Sequence, residues 1–188
     1  MITNCAKRCL AFFLFLLCCT ASAESWNRFD LSKLPYFNDV KILIKHPSGW
    51  EFQRNHRRQS IIQFISPLKN NGVEAILFAR EKHTEIINKN TYTEVANKYA
   101  KFLKTSAYNI QYTEIEGQHA VIFDVQLETP RAGLIMHQII RFMIFSYKKN
   151  FIVTAYSSCS LDKDIAIDNF NPRMAFLYFN SINIINWL

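Results

Sequence analysis

The side chains of this chain that could bind a metal, attack a carbonyl or grip an anion are five histidines, one cysteine beyond residue 19 and a knot of arginines. His46, His56, His83, His119 and His137 are scattered, and no His-x-x-x-His or Cys-x-x-Cys spacing places two ligands on one helix face or turn. There is no Gly-x-Ser-x-Gly elbow, and four scattered glycines cannot build a phosphate-cradling loop. Asp124 lies within an apolar stretch, but alternation sets it opposite Phe123 and Val125, on the face of Gln126. A neighbouring strand's Arg or Lys, or solvent, is the expected partner, because buried acids are rarely unpaired. Cys159 has no basic or histidine neighbour in sequence to lower its pKa, so it reads as a small half-buried residue. No catalytic residue, metal ligand or cofactor is expected from these spacings.

The sharpest charge feature is Arg54-Asn55-His56-Arg57-Arg58, between two strand-like runs. Guanidinium groups on a loop can hold phosphates or carboxylates through planar, bidentate hydrogen bonds. Arg54, His56, Arg57 and Arg58 are therefore the candidate contacts for an anionic partner, with a solvated connection as the alternative. The formal charge of +7 favours anionic neighbours such as acidic lipid headgroups. It is too mild to indicate nucleic acid, and the aromatics fall at strand or helix period rather than as a stacking platform.

The elements that must position these residues begin after a leader. Lys7 and Arg8 precede an apolar run from Leu10 to Cys19, followed by Ala21-Ser22-Ala23. That is the pattern of a secretory signal peptide over residues 1–23, cleaved between Ala23 and Glu24. The run is shorter than the roughly 20 residues a membrane-crossing helix needs. A lipidated Cys18 or Cys19 is the competing reading, although Leu17 or Cys18 then stands where a small residue is wanted. Four of the five cysteines lie in the leader, so Cys159 has no partner for an intrachain disulfide in the exported chain.

Residues 24–188 show no repeat and no Pro/Gly/Ser linker, and their length suits one domain. Val40–Lys45, Ser60–Ser66 and Glu74–Arg80 read as strands, the last two joined by Lys69-Asn70-Asn71-Gly72, where Asn-Gly signals a tight hairpin. Thr91–Lys104 changes to helical period, with Tyr92, Val95, Ala96, Tyr99, Phe102 and Leu103 on one face. Thr91 and Glu94 have the spacing of a capping box. Strands resume at Tyr108–Ile115 and His119–Glu128, turning at Glu116-Gly117. After a turn at Pro130–Gly133 come Leu134–Tyr147 and Phe151–Ser157. Asn171-Pro172 opens a second helix, with Met174, Leu177, Tyr178, Ser181, Ile182 and Ile185 on one face. The sum is an α+β domain, an antiparallel β-sheet with helices packed on its faces.

Several short motifs in this order resemble the PsbP-like family, which includes the periplasmic DcrB-like proteins. They are Ile44-Lys45-His46-Pro47-Ser48-Gly49-Trp50, then Tyr92-Thr93-Glu94-Val95-Ala96, then Ile115-Glu116-Gly117-Gln118-His119-Ala120. Phe151-Ile152-Val153-Thr154-Ala155 and Phe179-Asn180-Ser181-Ile182 complete the set. The resemblance implies a PsbP-like α/β/α sandwich and a role in binding or support rather than a shared active site. The expected function is a non-enzymatic exported accessory protein of the cell envelope, periplasmic or secreted, that binds a protein partner or an anionic membrane surface. The alternative is a metal-dependent hydrolase whose site is assembled from dispersed histidines.

Overall fold

A computed structural model describes residues 25–54, 61–82, 85–148 and 150–184. Its frame is a seven-stranded antiparallel sheet in the order β3-β4-β5-β9-β8-β7-β6. The strands are β3 (Glu51–Arg54), β4 (Ile61–Ile65), β5 (Gly72–Lys82), β6 (Tyr108–Ile115), β7 (Gln118–Arg131), β8 (Leu134–Tyr147) and β9 (Asn150–Ser160). A second sheet of three strands lies against it, with β2 (Ile42–Pro47) between β1 (Trp26–Asp30) and β10 (Asn183–Ile184). Helices α1 (Tyr92–Phe102), α2 (Lys163–Asn169) and α3 (Pro172–Phe179) complete the domain, with short 3-10 turns at Leu31–Lys33 and Pro35–Phe37. The α+β architecture read from the sequence is the one observed.

Tight turns make the meander. Asn70 and Asn71 both have positive φ (50° and 56°), closing a two-residue hairpin with paired backbone bonds between Lys69 and Gly72. Primed turns of this hand match the twist of the flanking strands. The left-handed positions are thus the two asparagines, and Gly72 is already strand. Its missing Cβ would fall 2.5 Å from Asn169 Nδ2 and 3.3 Å from the Cys159 carbonyl, so close approach rather than backbone freedom calls for glycine there. The Pro130–Gly133 turn contracts to Ala132-Gly133, with Pro130 in β7 opposite Ile135. Proline is tolerated there because β7 has run past the last β6 pair, Tyr108↔Asp124, and become an edge.

Each face of the large sheet carries its own core. Ile62, Phe64, Ile76, Phe78, Phe145 and Tyr156 pack against Ile42 and Ile44 of β2, Leu31 and Phe37 of the 3-10 turns, and Ala175 and Tyr178 of α3. The other face buries Val121, Phe123, Val125, Ile144 and Val153 under Val95, Ala96 and Ala100 of α1. The alternation read in β7 therefore holds, with Asp124 on the opposite face from Phe123.

Several local expectations change. Phe102, placed on the buried face by its spacing, is 72% exposed, and Leu103 is only half-buried. Ala96 and Ala100 let α1 approach the sheet closely and set the contact line, which turns the last residue of the helix to solvent. Thr91 makes no side-chain cap: its hydroxyl donates to the Ile86 carbonyl at 2.6 Å. Asn88 does the capping, accepting from the amides of Asn90 and Thr91. The second helix stops at Phe179, leaves Leu177 exposed and passes into β10. Ile185 and Ser60 lie outside the described residues. Strands β1 and β3 and helix α2 carry too few periodic positions to be read from sequence.

Phe102→Ser is accordingly expected to shift stability by no more than about 0.5 kcal/mol, as ordinary surface changes do. Ala100→Leu should destabilise by about 1–3 kcal/mol through overpacking. Urea midpoints of the two variants check the assignment of the helix face, and a larger loss at Phe102 would reverse it.

Candidate binding face

Of the basic cluster, Arg54 is described: it ends β3 opposite Ile62 and is exposed. His56, Arg57 and Arg58 lie outside the described residues, as do His83 and the processing positions Ala23 and Glu24. The remaining histidines are apart in role and place. His119 hydrogen-bonds Tyr112 on an exposed strand pair, and His137 approaches Glu128 at 3.4 Å. His46 is buried, stacked on Phe64 with centroids 4.0 Å apart, its Nδ1 donating to the Pro47 carbonyl. Among the described residues no group of three or more His, Cys, Asp or Glu could hold a metal ion.

Burial holds the His46 pKa below its ordinary value, the bond to Pro47 opposing this in part. A histidine with a depressed folded pKa binds its proton more readily in the unfolded chain. Stability should therefore fall as pH drops below about 6.5, flattening once the folded-state pKa is passed. His46→Phe should remove that slope in denaturant titrations between about pH 7 and 5. An unchanged slope would assign it to other groups.

Asp124 is 3% exposed and fully partnered. Arg141, directly across the β7–β8 pair, donates from Nε to Oδ1 and from Nη2 to Oδ2, each at 2.7 Å, and Asn109 Nδ2 adds a bond at 3.0 Å. Every strong acceptor on this carboxylate is engaged, and the Arg141 guanidinium lies over the Phe170 ring. The arrangement fastens strands rather than serving proton transfer.

The feature most like a site is a trough on the face that α1 covers only in part. Helix α1 lies over β7 and β6. Beyond it, two cross-strand rows are left open, Ile65-Ala75-Ser157-Ile140 and Val73-Cys159-Gln138, and a third, Gln63-Leu77-Ala155-Phe142, runs under the helix edge, where Ala155 and Phe142 are buried. Central strands β5 and β9 contribute mostly small side chains (Ala75, Ala155, Ser157, Cys159), whereas β4 and β8 contribute Ile65, Ile140 and Phe142. Small residues between large ones hollow the sheet into a trough of about 550 Å³. That volume lies within the range of small-molecule sites, about 300–1,000 Å³.

The far end of the trough is a finger. β7 and β8 continue three residue pairs beyond the end of β9, to Arg131↔Leu134. Leu134 and Ile135 project from it, 55% and 54% exposed, while Thr129, Arg131 and Met136 line the trough. Arg131 is the one charged residue among the described lining residues, and it forms no ion pair with another described residue. Burial pushes the Cys159 thiol above its ordinary range, opposed by a hydrogen bond with Gln138 and by the charge of Arg131. Burial thus leaves the thiol a weakly reactive wall of the trough rather than an activated nucleophile. Sequence reading passed over this site because its residues come from five strands and none has an unusual neighbour in the chain.

Neither a protein-family model nor a curated protein sequence matches the chain. Solved structures do. The Saccharomyces cerevisiae Ran-binding protein Mog1p superposes with a TM-score of 0.56 at 10% identity, covering 87% of this chain and 97% of that one. The Mycobacterium tuberculosis protein LpqN, described as involved in cell envelope biogenesis, gives a TM-score of 0.44 at 11% identity over 89% of this chain and 88% of its own. A protein of Bacteroides thetaiotaomicron VPI-5482 gives 0.44 at 10% identity; 77% of this chain is covered, which spans 45% of that longer chain. At such identities the likeness is one of fold, and the architecture of Mog1p is the architecture of this chain.

Proposed function

We propose that this protein is a non-catalytic, exported accessory protein of the cell envelope, of the PsbP-like kind, and that it works by holding a partner on the half-open face of its large sheet. The observation that carries this reading is the trough beside α1, where Ile65, Val73, Leu77, Met136 and Ile140 stay half exposed, while the other face of the sheet carries the larger of the two cores. Leaving apolar strand residues in water is unfavourable by about 25 cal/mol per Å², so a surface of this kind is explained by what binds it. The fold shared with Mog1p is one on which binding has been built, in that protein to Ran. The leader read over residues 1–23 supports export. Among the described residues no helix is long and apolar enough to cross a membrane.

A photo-reactive amino acid placed at Gln63, inside the trough, tests the reading against one placed at Lys101, on the outer side of α1. Irradiation of the native envelope fraction should give adducts from position 63 and few from 101. Equal yields from the two positions, or none from 63, would overturn it. Intact mass of the exported protein should begin at Glu24 without lipid; an acylated Cys18 or Cys19 at the N-terminus would replace the soluble form with a tethered one.

A further inference from the structure

We propose that the trough binds a single-chain anionic amphiphile, a fatty carboxylate, with its alkyl chain on the small-residue floor and its head at Arg131. This rests on the reading of the trough as the binding face and adds the chemistry of the occupant. Three properties of the lining select that chemistry. The floor is mostly apolar or small, from Phe142 and Ala155 at the α1 end to Val73 and Cys159, with Gln63 at its β4 edge and Gln138 toward the finger. The lining contains one cation and no described acid, so its charge complements a single negative group. The cation is at one end of the trough, not in its middle, which separates the charged part of a ligand from the apolar part.

The geometry orders the ligand along the strands. The three rows occupy alternate residues of β5 and β9, so a chain laid over Leu77, Ala75 and Val73 runs parallel to them for about 14 Å at the spacing of strand residues. The inner end lies under the edge of α1, where Ala155 and Phe142 are buried. The other end opens at the finger, where the exposed Arg131 guanidinium can donate two parallel bonds to a carboxylate. Gln138 and Thr129 supply uncharged polar groups near the head without requiring either, and Ser157 lies in the middle row. An acidic peptide would also meet Arg131, but its backbone amides would be stripped of water over the apolar floor, which has few groups to pair them.

Calorimetric titration of the full chain with myristate, myristyl alcohol and butyrate tests each part. Myristate is expected to bind about tenfold tighter than the alcohol, the difference of one charge-assisted hydrogen-bonded head. Butyrate should show no measurable binding. Arg131→Gln should abolish the preference for the acid over the alcohol. Ala75→Leu should fill the floor and remove binding of both, with the melting curve as a check that the variant folds. In the wild-type chain, myristate should slow alkylation of Cys159 by iodoacetamide, read by peptide mass. Absence of myristate binding, equal binding of acid and alcohol, an Arg131→Gln variant that keeps the preference, or binding that leaves Cys159 unprotected would each overturn the proposal. If myristate fails while cross-links still form specifically from position 63, the binding face stands and only the occupant assigned here falls.

Discussion

Arg141→Met is expected to destabilise the protein by about 3–5 kcal/mol, the cost of leaving a buried carboxylate without its counter-charge. Asp124 is almost wholly removed from water, and two of its three side-chain hydrogen bonds come from the one guanidinium. Without Arg141, Asn109 alone cannot compensate the desolvated charge. The double variant Asp124→Leu, Arg141→Met should recover most of the loss, because an apolar pair of similar volume has nothing to desolvate. Guanidinium denaturation of the three proteins measures the cycle. A single variant as stable as the wild type would mean that water reaches Asp124, and a double variant worse than the single would mean that the pair is stabilising in its own right.

Phe64→Ala should be of similar size, about 3–5 kcal/mol, the usual cost of deleting a buried phenylalanine. Phe64 is 1% exposed and joins the two sheets. Its ring stacks on His46 of β2 and meets Phe29 of β1 edge to face at 5.2 Å. Removing it opens a cavity between the layers and lets water reach His46, so the acid-side fall in stability attributed to that histidine should shrink in the same variant. Phe52, in the same aromatic group but 39% exposed, provides the comparison. Phe52→Ala should lose less than half as much. Equal losses from the two would place the load on ring stacking rather than on burial.

Much of the fold was legible without coordinates, for physical reasons that are local. Period-2 alternation in β7 named the faces of Val121, Phe123 and Val125, and turn residues marked the hairpins within 69–72, at 116–117 and within 130–133, which the structure narrows to 70–71 and 132–133 at the first and last. Both signals act over a few residues and survive in any tertiary context that keeps the strand. Helix α1 was also legible, but its buried line was not. Hydrophobicity ranks Phe102 above Ala100, whereas packing against a twisted sheet favours the residue that permits close approach. Of the three-stranded sheet only its central strand β2 could be read, over Val40–Lys45, and not its partners. β10 is two residues long and pairs with a strand some 140 positions earlier, so its existence depends on β2 already being in place.

The candidate site divides the same way. The sequence by itself determined that chemistry-bearing residues are scattered, that one basic cluster stands between two strands, and that Asp124 faces away from its apolar neighbours. Those follow from residue type and spacing along one chain. Only the tertiary structure decided that Asp124 meets Arg141, and that Leu77, Ser157, Ile140 and Arg131 line a single trough beside a short helix. The register of five strands and the reach of α1 set that trough, and both are long-range quantities fixed by how whole faces pack, which no window of sequence contains.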